Sequence, residues 1–210
     1  LRSRGLGDVY KRQNDYYQAF KDYKVTAEVY DLNSKKVWGK SQKIDIPEDG
    51  VVNDIFTIDF PQNITQVHFI KLRLFDTKGK EVANTFYWRS NDKYEGRKTL
   101  TGPTSSGFED LSKLKQVQLK TRYQTYQEGD RHFIKAEIKN PSSTVAFFTQ
   151  LQLLGQDKKP VRPSFYTDNF FSLLPGESKT VIIETAASDM PSEPTFVVKG
   201  WNIKPSSFKL

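Results

Sequence analysis

The feature that most constrains this chain is the two-residue beat of its apolar side chains, interrupted at roughly 8–12-residue intervals by turn formers. The stretch HFIKLRLF puts Ile70, Leu72 and Leu74 on one face and Lys71 and Arg73 on the other. Asp76-Thr-Lys-Gly79 then offers a hairpin turn, and EVANTFYWRS returns as the partner strand. No long stretch has the 3.6-residue period of a helix, which argues against helices layered on a parallel sheet. A 36% apolar, 13% aromatic composition rich in Val, Ile and Thr suits strands packed on a core. The expected fold class is all-β: two immunoglobulin-like β-sandwich domains in tandem.

The first domain is expected over residues 14–90, with five strand signals: KVTAEVYD, KKVWGKSQKIDI, VVNDIFTIDF, HFIKLRLF and EVANTFYWRS. Five is few for a closed sandwich, so this domain is expected to lack its N-terminal strand. Residues 91–112 lose the alternation, gain Gly, Ser, Thr and Pro, and read as a linker with a short helical turn in FEDLSKL. The second domain is expected over residues 113–204. Its seven strands start at VQLKTRYQT and end with TFVVKGWNI, a count that suits an immunoglobulin-like fold. A partial echo links Phe69, Leu72 and Leu74 to Phe148, Leu151 and Leu153, while TAEV at 26–29 resembles KAEI at 135–138. The two offsets disagree, so the echo reads as one related hairpin pattern and not as a tandem duplication.

The opening LRSRGLGDVYKRQ fits neither period. Residues 3–13 resemble the translation of a transposon-end adapter used in preparing sequencing libraries, so residues 1–13 are read as a non-native, adapter-like tail. On that reading the gene is expected to have been cut just before Asn14. Arg2, Arg4, Lys11 and Arg12 against Asp8 give this stretch +3 of the chain's formal +7, leaving +4 spread among acids. Without a basic stripe, nucleic acid is not expected as a partner. No apolar run reaches the length of a membrane span, so no membrane partner is expected either.

Chemistry-bearing patterns are sparse. His68 and His132 each stand alone within a strand, cysteine is absent, and no serine lies in a nucleophile elbow. No glycine-rich loop opens a helix. Paired carboxylates could hydrolyse glycosides. The acids here, however, fall on turns (Glu48-Asp49, Glu109-Asp110, Glu128 with Asp130), where solvated caps are their usual role. No catalytic residue, metal ligand or cofactor is expected. The aromatics leave two readings open. Phe165, Tyr166, Phe170 and Phe171 flank Thr167-Asp168-Asn169, and Phe86-Tyr87-Trp88 close the first module. They pack into cores, or they offer rings and polar neighbours to a sugar. On the second reading the candidate glycan contacts are Tyr166, Asp168, Asn169 and Phe170.

FIKLRLFDTKGKEVANTFYW resembles the immunoglobulin-like module that follows the catalytic barrel in glycoside hydrolase family 2 enzymes of the exo-β-D-glucosaminidase and β-mannosidase type. The shared marks are Asp76, Gly79, Lys80, Asn84, Phe86, Tyr87 and Trp88. The second module is similar to the final domain of the exo-β-D-glucosaminidases, through N-P-S in KNPSSTVAFFTQLQLL, then YTDNFFSLLPGES, then the closing VKGWNI. The resemblance implies a parent that hydrolyses β-glycosidic bonds with retention by two barrel carboxylates. It implies that those carboxylates lie outside this sequence and that the fragment alone is silent. The upstream barrel is the implied partner, with an oligosaccharide as a second one, in the periplasm or outside the cell. The competing reading is a stand-alone glycan-binding or adhesion module.

Overall fold

A computed structural model describes residues 2–6, 9–91 and 107–210, with side chains from Asn14 onward. The linker expected at 91–112 lies for the most part outside the described residues. The chain divides into two compact units, Leu1–Lys113 and Leu114–Leu210.

The first unit holds β1 (Arg2–Leu6), β2 (Val9–Gln13), β3 (Phe20–Asp31), β4 (Lys36–Ile46), β5 (Val51–Thr57), β6 (Val67–Phe75) and β7 (Glu81–Ser90). They form two antiparallel sheets, ordered β1-β2-β5 and β4-β3-β6-β7. The core follows the alternation: Val25, Ala27 and Val29 from β3, Ile44 and Ile46 from β4, Ile55 and Phe56 from β5, and Ile70, Leu72 and Leu74 from β6. On the opposite face of β6, Val67, Phe69 and Lys71 are buried as well. This central strand is therefore covered on both sides. The Asp76 turn closes as the sequence suggests. Its carboxylate accepts the N–H of Lys78 and of Lys80, each at 2.9 Å, and Gly79 N–H donates to Asp76 O at 3.0 Å. The opening residues, read from sequence as foreign to the fold, form the β1–β2 hairpin, and β2 pairs with β5 from Val9↔Thr57 to Gln13↔Val51.

The second unit holds β8 (Lys120–Glu128), β9 (Arg131–Lys139), β10 (Ala146–Leu154), β11 (Phe165–Tyr166), β12 (Phe171–Leu173), β13 (Ser178–Ala186), β14 (Thr195–Gly200) and β15 (Ile203–Lys209). A 3-10 turn at Glu109–Lys113 precedes it. The sheets are β11-β13-β9-β8 and β12-β10-β14-β15. Ile134, Ala136, Ile138, Val181 and Ile183 face Leu151, Leu153, Phe196 and Val198 across one core. Burying an aliphatic side chain of this size stabilises by about 1.5–3 kcal/mol. The chain does not finish on TFVVKGWNI. Trp201-Asn202 is a turn, and β15 runs on as an edge strand paired with β14. Its sequence, IKPSSFK, hides this, because Pro205 and two serines give little strand signal. An edge strand tolerates a proline that lacks the N–H.

The two units share one topology. The sheet β1-β2-β5 corresponds to β8-β9-β13, and β4-β3-β6-β7 to β12-β10-β14-β15. Asn14, just after β2, matches Asn140, just after β9. The expected hairpin echo is overturned here, because it aligned β6 with β10 and β3 with β9, which occupy different places in the two sandwiches.

Candidate functional site

On β11, adjacent aromatics point to opposite faces. Phe165 is 57% exposed, whereas Tyr166 turns inward against the core. The Tyr166 hydroxyl accepts the N–H of Leu153 at 3.0 Å, and burial pushes its pKa up. Asp168 forms an ion pair with Lys179, and its Oδ1 accepts the N–H of Asn169 at 2.7 Å. Asn169 clasps β10: its Oδ1 accepts Leu151 N–H at 2.8 Å and its Nδ2 donates to Leu151 O at 3.0 Å. Phe170 is 49% exposed. Of the four residues proposed as glycan contacts, Tyr166 and Asn169 direct their polar groups into the fold, Asp168 is engaged by Lys179 at the surface, and Phe170 shows its ring to solvent.

That ring has company the sequence did not indicate. Phe148 lies 5.4 Å from Phe170, centroid to centroid, and is itself 37% exposed. Both residues sit at positive φ, 58° and 57°. For a bulky side chain this conformation costs about 1–2 kcal/mol. Phe148 adopts it inside a β-bulge, where the β10–β12 register slips between Ala146 and Thr149. The neighbouring Trp201 is 60% exposed, and its N–H donates to Phe147 O at 3.1 Å. In the first unit, Phe86 packs on Phe69 at 5.4 Å, Tyr87 packs on the core, and Trp88 is exposed.

The motif asparagines do structural work. Asn140 is fully buried. Its Nδ2 donates to Thr144 O at 2.8 Å and to Leu173 O at 2.9 Å, and its Oδ1 accepts from Ser142 N–H at 3.1 Å and Ser142 Oγ at 2.7 Å. Its main chain is tied to the Pro175-Gly176 turn. Asn140 N–H donates to Glu177 O and Gly176 N–H to Asn140 O, both at 2.9 Å, with Gly176 at φ 81°. Asn202 accepts Phe147 N–H at 2.9 Å and donates to Lys115 O and Val145 O at 2.8 Å each. Gly200 permits that turn to lie close, because a Cβ there would sit 2.9 Å from Phe148 O and 2.4 Å from Ile203 Cδ1. In the first unit Asn14 repeats the pattern of Asn140, donating to Gln18 O at 2.7 Å and Pro47 O at 2.8 Å and accepting Tyr16 N–H at 3.0 Å. The sequence reading missed this residue's role. The available signal was a polar asparagine standing at the junction of two apolar-alternating segments.

Among the described residues of the first unit, Glu28 is a heavily bonded carboxylate. Burial would raise its pKa, but hydrogen bonds from Lys36, Arg73 and the Tyr30 hydroxyl outweigh that and hold it below its ordinary value. It is ionised at neutral pH and fully engaged, a poor proton donor. Tyr30 is pushed up to about 12 by burial and by the Glu28 charge. Among the described residues no group of three or more His, Asp or Glu is placed to hold a metal. Among the described residues no helix is long and apolar enough to cross a membrane. The site can present aromatic surface and hold its shape. It lines up no acid with a base.

The chain has relatives among known proteins. Residues 99–203 match the family model of the exo-β-D-glucosaminidase Ig-fold domain, and residues 12–94 that of the mannosidase Ig/CBM-like domain. An exo-β-D-glucosaminidase of Streptomyces avermitilis is 30% identical over 149 residues, covering 66% of this chain and 16% of the relative. One from Amycolatopsis orientalis is 25% identical over 190 residues, covering 85% of this chain and 18% of the relative. The crystal structure of the Amycolatopsis orientalis exo-chitosanase superposes with a TM-score of 0.82 at 21% identity, covering 96% of this chain and 25% of that one. A β-D-mannosidase from Dictyoglomus thermophilum gives 0.61 at 14% identity, over 97% of this chain and 21% of its own. The chain thus spans about a fifth of the length of these proteins.

Proposed function

The chain belongs to the exo-β-D-glucosaminidase Ig-fold family, and from that premise we propose that its two sandwiches are non-catalytic accessory domains of a larger β-glycosidase. The observation that carries this reading is the match of both modules to a minor share of much longer glycosidases. The internal use of the motif side chains supports it. Asn140, Asn169, Asn202 and Glu28 all serve the fold, and none is left poised for a reaction.

The physical role is preorganisation. A catalytic barrel works through loops that must be held to a fraction of an ångström, and a stiff sandwich packed beside them limits their excursions. The reacting carboxylates of such a parent, and its choice between glucosamine and mannose, belong to the barrel. Such a parent is read as working on glycan in the periplasm or outside the cell. Two measurements test the reading. The purified chain should show no turnover of aryl β-glucosaminides or β-mannosides. Deleting the corresponding two modules from the Amycolatopsis orientalis enzyme should lower both its melting temperature and its kcat/KM. A truncated enzyme as stable and as active as the whole would overturn the role.

A further inference from the structure

The outer face of β11-β13-β9-β8 carries a line of side chains unrelated to the Phe148–Phe170 patch. In register across the four strands stand Phe165↔Glu184, Glu184↔Phe133 and Phe133↔Tyr126. Their strand neighbours Tyr166, Ile183 and Ile134 pack into the core, and Thr125 is in register with Ile134, so all four point away from it. Tyr126 and Phe133 stack at 5.0 Å with 13° between their planes. At the other end Phe165 is the exposed ring of β11, with the Arg131 guanidinium 5.8 Å from its centre. Between the rings, Arg131 Nε and Nη2 both bond to Glu184 Oε1, at 2.7 and 2.6 Å.

That pairing is lopsided. Both bonds converge on one carboxylate oxygen, so Glu184 Oε2 and Arg131 Nη1 have no partner among the described residues. An open acceptor oxygen and an open donor nitrogen thus remain on one ion pair next to the Phe165 ring, on this sheet face. At the usual strand separation the row is about 14 Å long, room for roughly three sugar rings laid end to end. Rings stack on the C–H faces of pyranoses, while a fixed donor and acceptor suit neighbouring hydroxyls. The face also has a charge preference. Lys120, Arg122, Arg131, Lys135 and Lys139 share it with Glu128, Glu137 and Glu184. Since Glu184 is already paired, a cationic sugar finds no free counter-ion in the row.

The geometry points to a binding surface for an uncharged glycan chain, running across the strands from Phe165 to Tyr126, with Glu184 and Arg131 reading hydroxyls in the middle. The assignment does not rest on the accessory-domain reading. It would tether the module to polymer that the parent need not cleave.

The test uses the 210-residue chain. Calorimetry and amide chemical shifts follow titration with cellohexaose, mannohexaose, hexa-N-acetylchitohexaose, the fully deacetylated glucosamine hexamer and an oligogalacturonate. At least one neutral hexamer should bind, shifting amides of β8, β9, β11 and β13, and the glucosamine hexamer should bind several-fold more weakly. Phe165→Ala and Tyr126→Ala should each weaken binding about threefold to tenfold, the size of a lost ring contact. Phe170→Ala, on the other patch, should change nothing. An unaltered circular dichroism melt separates loss of contact from loss of fold. The assignment is overturned if no neutral hexamer binds, or if Phe165→Ala binds as the parent chain does. It also fails if Phe170→Ala abolishes binding, or if only the oligogalacturonate binds, in a salt-sensitive way. None of these outcomes bears on whether the modules stabilise a catalytic barrel.

Discussion

The two modules solve one folding problem with different materials. Both place an asparagine just after the second strand of the smaller-numbered sheet pair, Asn14 in the first unit and Asn140 in the second, and both use it to tie a loop across the sandwich. Beyond that they diverge. The second unit adds Asn169 and Asn202. The first has a single such clasp among the described residues and an ion network, Glu28 with Lys36, Arg73 and Tyr30, on the outer face of β3 and β6. Buried amide clasps fix geometry whatever the pH, whereas a partly exposed charge network is sensitive to pH and salt.

The contrast can be broken most forcefully at Asn140. Asn140→Ala would strand Leu173 O in the interior and remove the part-buried bonds to Thr144 O, Ser142 N–H and Ser142 Oγ, and should destabilise the second unit by about 3 kcal/mol in denaturant melts. A loss under 1 kcal/mol would show that water replaces the amide and that the clasp is decoration. Asn14→Ala removes one bond fewer, and a smaller penalty, about 2 kcal/mol, is expected in the first unit alone. If both units respond equally to either change, they do not unfold as separate sandwiches.

Gentler effects come from pH. Glu28 has its pKa lowered by folding, so its contribution is present above the unfolded value and is lost as pH falls through the folded one. The first unit should lose stability in acid, and Glu28→Gln should flatten that limb. Tyr30 has its pKa raised, so stability holds below its ordinary value of 10.0 and declines as pH climbs toward about 12. Tyr30→Phe should remove that alkaline decline. The second unit has an alkaline limb of its own, because burial raises the Tyr166 pKa, and Tyr30→Phe should leave that limb unchanged.

Much of the architecture was legible because burial writes itself into alternation. Val25, Ala27 and Val29, or Ile134, Ala136 and Ile138, can be read as inward-facing without coordinates. What escaped was information held in register and in polar bonding. The kinship of the two units rests on Asn14 and Asn140, 126 positions apart, and not on the apolar patterns that seemed to repeat, since any two amphipathic strands resemble each other. Strand β15 was hidden by Pro205 and its serines. Among the candidate contacts, Asn169 looked available for sugar because a sequence does not reveal which backbone groups lack partners. Here Leu151, beside the β-bulge, needed them. The row from Phe165 to Tyr126 draws on four strands spread over residues 120–186, and their pairing brings it together.

The Asn140 clasp has a bearing on proteolysis. It fastens the 140–144 loop to β12 and to the Pro175 turn at once, so the loop cannot peel away while the sheets stay closed. A protease meets that segment as a substrate only when the whole sandwich opens, and the cutting rate there becomes a direct gauge of global unfolding.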